Sequence, residues 1–281
     1  MKVLVTGAAG QLGHEVCACF GCVGAEVVAL TRADLDVASR QQVLGALSVI
    51  GPDVVVNCAA YTAVDQCEAE SDRAYLINAL AVRYLAEAAN RFDVHLCHIS
   101  TDYVFSGSKG EPYHEWDQPA PLSVYGASKL AGEQEAGPKA TVVRTSWLCG
   151  VNGNNVVKTV LELARRGDPL KFVTDQRGSP SFASDVAKIV QTLCSDRRPG
   201  VYHVANEGEA TWYEFAKEVL LAAGHDPDLV EPITTSELSS LRPARRPANS
   251  VLDNRALRLA GITQLPHYSE SLVRLVKALG V

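Results

Sequence analysis

Lys2-Val3-Leu4-Val5-Thr6-Gly7-Ala8-Ala9-Gly10-Gln11-Leu12-Gly13 opens the chain with an apolar run that ends in three glycines at three-residue spacing. An apolar run of that length, bounded by glycine, reads as a strand buried on both faces. The glycines allow a tight turn, close backbone approach to a pyrophosphate, and close packing of the helix that follows. That helix would present unpaired N–H groups and the positive end of its dipole to an anion. An ordinary glycine-rich turn has the same letters, so the rest of the chain decides between the two readings.

The same rhythm recurs. Further strands are expected at residues 26–30, 54–57, 94–99 and 141–144, with helices near residues 11–21, 39–50, 72–91 and 123–135. Buried strands alternating with helices give a parallel sheet covered on both faces. Right-handed crossovers make it a doubly wound, Rossmann-type α/β fold with ligands at the carboxyl ends of the strands. Gly7, Cys58 to Thr62 and Ser100 to Asp102 each follow such a strand directly. After Gly150 the rhythm loosens. The pairs Asp168-Pro169, Ser179-Pro180 and Arg198-Pro199 and the segment 232–249 separate shorter elements, with helices near residues 183–194, 212–222, 254–259 and 269–279. Residues 201–204 read as a strand that rejoins the sheet. The expected organisation is an NAD(P)-binding domain over residues 1–150, with 170–205 returning to it, and a smaller C-terminal α/β substrate lobe from residues 151–169 and 206–281.

At 281 residues the chain can bury a large core. The net charge of −6, with basic residues scattered apart from Arg242, Arg245 and Arg246, argues against a nucleic-acid binder. No apolar run approaches the about 20 residues of a membrane helix. Gly7 and Gly10 interrupt the N-terminus too early for a signal peptide, so a cytoplasmic protein is expected. Among eight cysteines, Cys17, Cys19 and Cys22 cluster within one expected helix, and no later Cys/His pair stands at zinc-like spacing. They read as buried, reduced thiols, and no metal site is assigned.

The second strand ends at Leu30-Thr31-Arg32, without the acid that usually holds an NAD ribose diol. Arg32 suits a 2′-phosphate, which favours NADPH over NADH; a solvated surface arginine is the alternative. Asp36 and Val37 are placed for the adenine, or Asp36 for a cap. Tyr125-Gly126-Ala127-Ser128-Lys129 sets a phenol and an ammonium one helical turn apart. A phenol of pKa ~10 is a weak acid at neutral pH. A nearby ammonium favours phenolate and lowers that value, while the Thr101 hydroxyl would bond the substrate oxygen or Tyr125. The set describes a carbonyl reductase fed by a nicotinamide.

The spacing Gly7-x-x-Gly10-x-x-Gly13 leans toward short-chain and extended short-chain reductases. The chain resembles the dTDP-4-dehydrorhamnose reductases within that group. The resemblance rests on the glycine turn, residues 52–65 (PDVVVNCAAYTAVD), Ser100-Thr101-Asp102-Tyr103-Val104-Phe105-x-Gly107, and Tyr125-Gly126-x-Ser128-Lys129-x-x-Gly132-Glu133. It continues in Arg144-Thr145-Ser146-Trp147, Asp175-Gln176-x-Gly178-Ser179-Pro180 and residues 246–253 (RPANSVLD), and so spans nearly the whole chain. It implies NADPH-dependent reduction of dTDP-4-dehydro-L-rhamnose to dTDP-L-rhamnose. Gly7, Gly10, Gln11, Leu12 and Gly13 would meet the cofactor phosphates, and Asp36 and Val37 the adenine. Cys58, Ala59, Ala60, Tyr61 and Thr62 would line the cofactor, the last three on its nicotinamide side. Tyr125 would donate the proton with Lys129 as partner, and Thr101, Asp102 and Trp147 would hold the sugar.

Some members dimerise around Mg²⁺, and Glu15 falls where one ligand would lie, though a helix-surface glutamate is the plainer reading. A monomer and a homodimer both stay open. Cys149 and Asn155 depart from the usual pattern and put details of the substrate pocket in play. Arg245 and Arg246 are candidates for diphosphate pairing. Two rivals remain: a 4-ketoreductase of another dTDP-deoxysugar, and a non-catalytic NADP-binding regulatory subunit. Dehydratases on this fold place Asp-Glu after the catalytic threonine, whereas Thr101 is followed by Asp102-Tyr103.

Overall fold

Six strands form one parallel sheet in the computed structural model, which describes residues 1–238 and 242–281. They are β1 (Lys2–Thr6), β2 (Glu26–Leu30), β3 (Val54–Asn57), β4 (His95–Thr101), β5 (Thr141–Thr145) and β6 (Gly200–His203), in the order β2-β1-β3-β4-β5-β6. Their composition explains their places. β3 and β5 are buried along their whole length, whereas β2, at the edge, is only partly covered. Helices α1 (Gln11–Cys22) and α6 (Ala183–Ser195) pack together on one face. Helices α2 (Arg40–Ile50), α3 (Ala81–Phe92) and α4 (Val124–Ala136) cover the other. Strand order reverses between β1 and β3, and the crevice beyond their carboxyl ends is where such sheets hold ligands. The register aligns Thr6 with Asn57 and Asn57 with His98, and Thr101 with Thr145 three residues further along, so polar residues of β1, β3 and β4 share one level and those of β4 and β5 a second, nearer the crevice.

A second core lies beyond β5. It is built by α5 (Val156–Arg166), α7 (Trp212–Ala222) and α8 (Tyr268–Ala278), through buried Val157, Val160, Phe215, Val219, Leu220 and Leu272. The sequence reading assigns no element to 156–166. Yet Asn155 caps α5 by accepting from the Lys158 N–H at 3.2 Å, and Gly167 stops it at φ 70°. Thr211 and Glu214 form a reciprocal capping box on α7. A parallel two-stranded ladder, Leu170–Val173 with Val230–Ile233, flanks this core and takes in Pro232, which the sequence places in a loop. The rest of that segment carries a short helix, Thr235–Leu238; residues 239–241 lie outside the described residues.

Residues 72–91, expected as one helix, are three pieces: Ser71–Tyr75, a π-helical turn at Leu76–Leu80, and α3. All eight cysteines are thiols. Cys67, Cys97, Cys149 and Cys194 are buried, Cys17, Cys19 and Cys58 partly so, and Cys22 is exposed on the outer side of α1. Among the described residues no helix is long and apolar enough to cross a membrane.

Candidate active site

The turn after β1 works because of its glycines. Gly7 has φ 65°, and a side chain there would meet the Ala59 backbone at 2.7 Å, so the turn lies directly on the loop after β3. A side chain at Gly13 would overlap the Gly7 carbonyl, which sets α1 tight against the turn. No side chain caps the first turn of α1, so its leading N–H groups face the crevice.

Two cavities share the walls Gly10, Cys58 and Ala60. The outer one, of about 530 Å³, is lined by Gly7, Arg32, Asp36, Val37, Ala59 and Tyr61. The inner one, of about 520 Å³, is lined by Gln11, Leu12, Gly13, Thr62, Thr101, Asp102, Tyr125, Lys129 and Trp147. Apart from Arg245 and Arg246, every residue assigned from sequence to cofactor or substrate lines one cavity or the other. Tyr61 sits with Asp36 in the outer cavity, whereas Thr62 faces the inner one.

Helix α4 carries the central pair. Ser123 caps it by accepting from the Gly126 N–H at 3.2 Å, and the helix then presents Tyr125 and Lys129 on one face. The Tyr125 ring lies edge-on to Tyr103, with centroids 5.5 Å apart. Burial pushes the Tyr125 phenol above its ordinary range, and the facing Thr101 hydroxyl opposes that rise. Lys129 is buried, with Nζ donating to the Ile99 carbonyl at 2.5 Å. Burial brings the ammonium down to about 8, against a partial pull the other way from Glu133. Desolvation is the largest influence on both groups, and Nζ is directed at β4.

Thr101 donates to Asp102 Oδ1 at 2.9 Å and accepts from the Tyr103 N–H at 3.2 Å. Burial pushes the Asp102 carboxyl up to about 6 against the opposing pull of the Ser250 and Thr101 hydroxyls, and among the described residues its Oδ2 has no hydrogen-bond partner within reach. Thr145 Oγ1 is likewise buried without a partner, and both residues line the inner cavity. Buried polar atoms of this kind at a cavity wall are free to bond a polar group that enters it.

Trp147 adopts φ 43°, unusual for a bulky residue. Its ring stacks on Trp212 at 3.5 Å between centroids, and a side chain at Gly178 would overlap it from behind. Trp212, Thr145 and Asn78 carry no site role in the sequence, although Thr145 falls within the Arg144–Trp147 motif. Asn78 sits in the π turn, accepts from the Tyr61 N–H at 2.8 Å, and donates to the Tyr61 carbonyl and to Ser128 Oγ, each at 3.0 Å. It fastens the cofactor-side loop to α4 between Tyr125 and Lys129. Asn155 Nδ2 donates to Gln11 Oε1 at 3.0 Å, joining the lobe to the glycine turn.

Arg246 is committed elsewhere than to a diphosphate. It grips Asp65 at 2.6 and 3.1 Å and bonds the Ala244 carbonyl, and its guanidinium holds the Asp65 carboxyl below its usual range. Arg245 is exposed. Arg242 instead lines a lobe cavity of about 440 Å³ that also has Trp212 as a wall. An Mg²⁺ site on Glu15 gains no support: among the described residues no three His, Cys, Asp or Glu side chains are grouped to hold a metal.

The parallel sheet, the glycine turn and the Thr101/Tyr125/Lys129 cluster together define the extended short-chain dehydrogenase/reductase class. A family model described as the RmlD substrate binding domain matches residues 1–281. The chain belongs to this family, that of the dTDP-4-dehydrorhamnose reductases, and is an oxidoreductase. It is 41% identical to a crystallised dTDP-4-dehydrorhamnose reductase from Clostridium acetobutylicum, with TM-score 0.96 and 100% of both chains covered. A Bacillus anthracis dTDP-4-dehydrorhamnose reductase solved with NADP is 39% identical, with TM-score 0.95 and 99% of each chain covered. A probable dTDP-4,6-dihydroxy-2-methyloxan-3-one 4-ketoreductase from Streptomyces antibioticus is 43% identical over 97% of this chain and 93% of its own.

Proposed function

We propose that the chain reduces the C4 ketone of dTDP-4-dehydro-L-rhamnose to dTDP-L-rhamnose with NADPH, in the cytoplasm, as a monomer or homodimer. The observation that carries this reading is the convergence of Tyr125, Lys129 and Thr101 on a cavity continuous with the uncapped N-terminus of α1. Residues 1–150 with 183–205 form the cofactor-binding part, and residues 151–182 with 206–281 the substrate lobe, because Leu170–Val173, expected to return to the sheet, pairs with Val230–Ile233 beside the second core instead. The residues present suit a dinucleotide. The first turn of α1 offers N–H groups to its phosphates, and Asp36 and Val37 stand at the adenine end. Arg32, exposed in the turn after β2 where Asp34 is engaged by Thr31, meets the 2′-phosphate.

When bound, NADPH supplies the hydride to C4. Tyr125 gives its proton to the ketone oxygen as negative charge develops there, a role worth roughly 10²–10⁴ in rate. Burial keeps the phenol protonated until that moment. Thr101 orients the same oxygen. The unpartnered Asp102 Oδ2 and Thr145 Oγ1 take up polar groups of the bound ligands, and the Trp147 ring forms the apolar face for the sugar.

The test is loss of NADPH absorbance with the 4-keto sugar nucleotide, with the product identified by NMR. Tyr125→Phe should bind NADPH normally and turn over at least ~10²-fold more slowly. Equal inertness of wild type and variant, with cofactor bound by both, would favour a regulatory subunit instead. The similarity to the Streptomyces antibioticus protein favours a second reading, a 4-ketoreductase of another dTDP-deoxysugar, which the product's identity separates from the first.

A further inference from the structure

Behind Lys129, away from the cleft, a chain of buried polar groups crosses three strands. Thr6 Oγ1 donates to Asn57 Oδ1 at 2.7 Å, and the Ala59 N–H donates to the same oxygen at 3.2 Å. A backbone N–H has no lone pair to offer, so the oxygen of the Asn57 amide is fixed on that side. Its Nδ2 therefore faces His98 Nδ1, 3.0 Å away, and an amide nitrogen only donates. His98 Nδ1 must accept, which puts the ring proton of the neutral imidazole on Nε2. That N–H faces Lys129 Nζ at 3.4 Å. The imidazole is fully buried, and burial first, then the charge of Lys129, holds it neutral. Gly132 makes the arrangement possible, since a side chain there would come within 3.2 Å of Nε2 and overlap the Asn78 carbonyl.

The consequence is directional. An N–H aimed at Nζ is a hydrogen bond only when the amine has its lone pair; against an ammonium, two donors oppose each other. We propose that His98, held as its Nε2–H tautomer by Asn57, is a positioning residue that biases Lys129 toward the neutral amine and so favours transfer of its proton toward Tyr125. The proposal rests on the reading of Tyr125 as proton donor. After the phenol has protonated the ketone, the phenolate must be restored. A proton leaves Nζ and, relayed by a water or hydroxyl between the two groups, reforms the O–H bond of Tyr125; the neutral amine left behind is the form that His98 accommodates, and solvent returns its proton before the next turnover. Other ionisable groups around Lys129 are Cys58 from the end of β3, whose thiol burial keeps protonated, and Glu133 one turn along α4. Glu133 is engaged by Arg144 of β5 at 2.7 Å, which leaves it a weaker counter-charge for Lys129. Tyr125 and Asp102 stand on the cleft side.

Two measurements test this, one independent of turnover. Long-range ¹⁵N–¹H NMR on ¹⁵N-histidine-labelled protein should show His98 with Nε2 protonated and Nδ1 bare from pH 6 to 9. A proton on Nδ1, or an imidazolium, overturns the proposal whether or not the chain reduces a sugar nucleotide. In the pH profile of kcat, His98→Leu should move the inflection assigned to Lys129 upward by about one unit, a tenfold gain in proton affinity. His98→Gln, whose amide can again aim an N–H at Nζ, should restore the wild-type profile. A kcat lowered equally at every pH in both variants would reduce His98 to a packing residue, and if His98→Leu fails to fold, the tautomer and the Gln variant decide.

Discussion

Asp102 is the residue whose burial is most exposed to pH. Its carboxyl titrates near 6 in the folded protein, because desolvation disfavours the charge and one oxygen lacks a partner. An unfolded aspartate ionises near ~4. Between these values only the folded state holds the proton, so stability falls as pH rises through the window and levels off above it. Asp102→Asn removes that cost. It should stabilise the fold by about 1–3 kcal/mol at pH 7.5, measured by urea unfolding, with most of the gain gone at pH 4.5. The same variant should lose about tenfold in kcat/KM, since the acceptor facing the inner cavity is weakened. The absence of any stability gain would mean that the carboxyl is solvated, and a gain that ignores pH would mean that its charge is not the cost. Lys129 has the opposite sign. With its ammonium brought down to about 8, the cost of burying the charge is present at neutral pH and relieved as pH rises from there toward ~10.

The π turn at Leu76–Leu80 shows what an element adds to its residues. The inserted residue swings Asn78 inward to bond Tyr61 twice and Ser128 once. Asn78→Ala would strand these groups in a buried position. The expected loss is about 2–4 kcal/mol in unfolding free energy, with weaker NADPH binding by fluorescence titration, because the Tyr61 loop is released from α4. Unchanged NADPH affinity in a destabilised variant would confine Asn78 to the fold. Nothing in residues 72–91 announces the turn, since their apolar spacing suits an unbroken helix and a single-residue bulge leaves no compositional mark. Helix α5 is the opposite case. Asn155, Gly167 and the spacing of Val157, Val160 and Ala164 are legible, yet the glycines and asparagines of residues 150–155 read as loop. The strands of the main sheet were legible because each is a local apolar run. The Leu170–Val173 ladder was not, because its partner lies 60 residues away, beyond any local pattern. In the site, glycine turn, Thr101, Tyr125 and Lys129 are contiguous motifs, whereas Trp212 reaches the cavity only through the fold.

At the scale of the whole molecule, two polar knots fix the lobe to the sheet. One is the Asn155–Gln11 bond at the glycine turn. The other gathers Asn206, Ser271 and Arg274 around buried Asp185, at 3.1, 2.6 and 2.7 Å. Trp212, stacked on Trp147 of the inner cleft, is a wall common to that cleft and the lobe cavity. Trp212 comes from α7, a lobe element, while the outer cavity holding Arg32 and Asp36 has no lobe residue in its lining among the described residues. Removing Trp212 should therefore act on one ligand alone. Trp212→Ala forfeits a stack worth about 0.5–1.5 kcal/mol and frees Trp147 to leave its φ 43° backbone. KM for the sugar nucleotide should rise about tenfold, while the NADPH dissociation constant stays within about twofold. Steady-state kinetics and NADPH fluorescence separate the two quantities. Equal weakening of both ligands would mean that the aromatic stack holds the lobe on the sheet, and that substrate and cofactor sites rise and fall together.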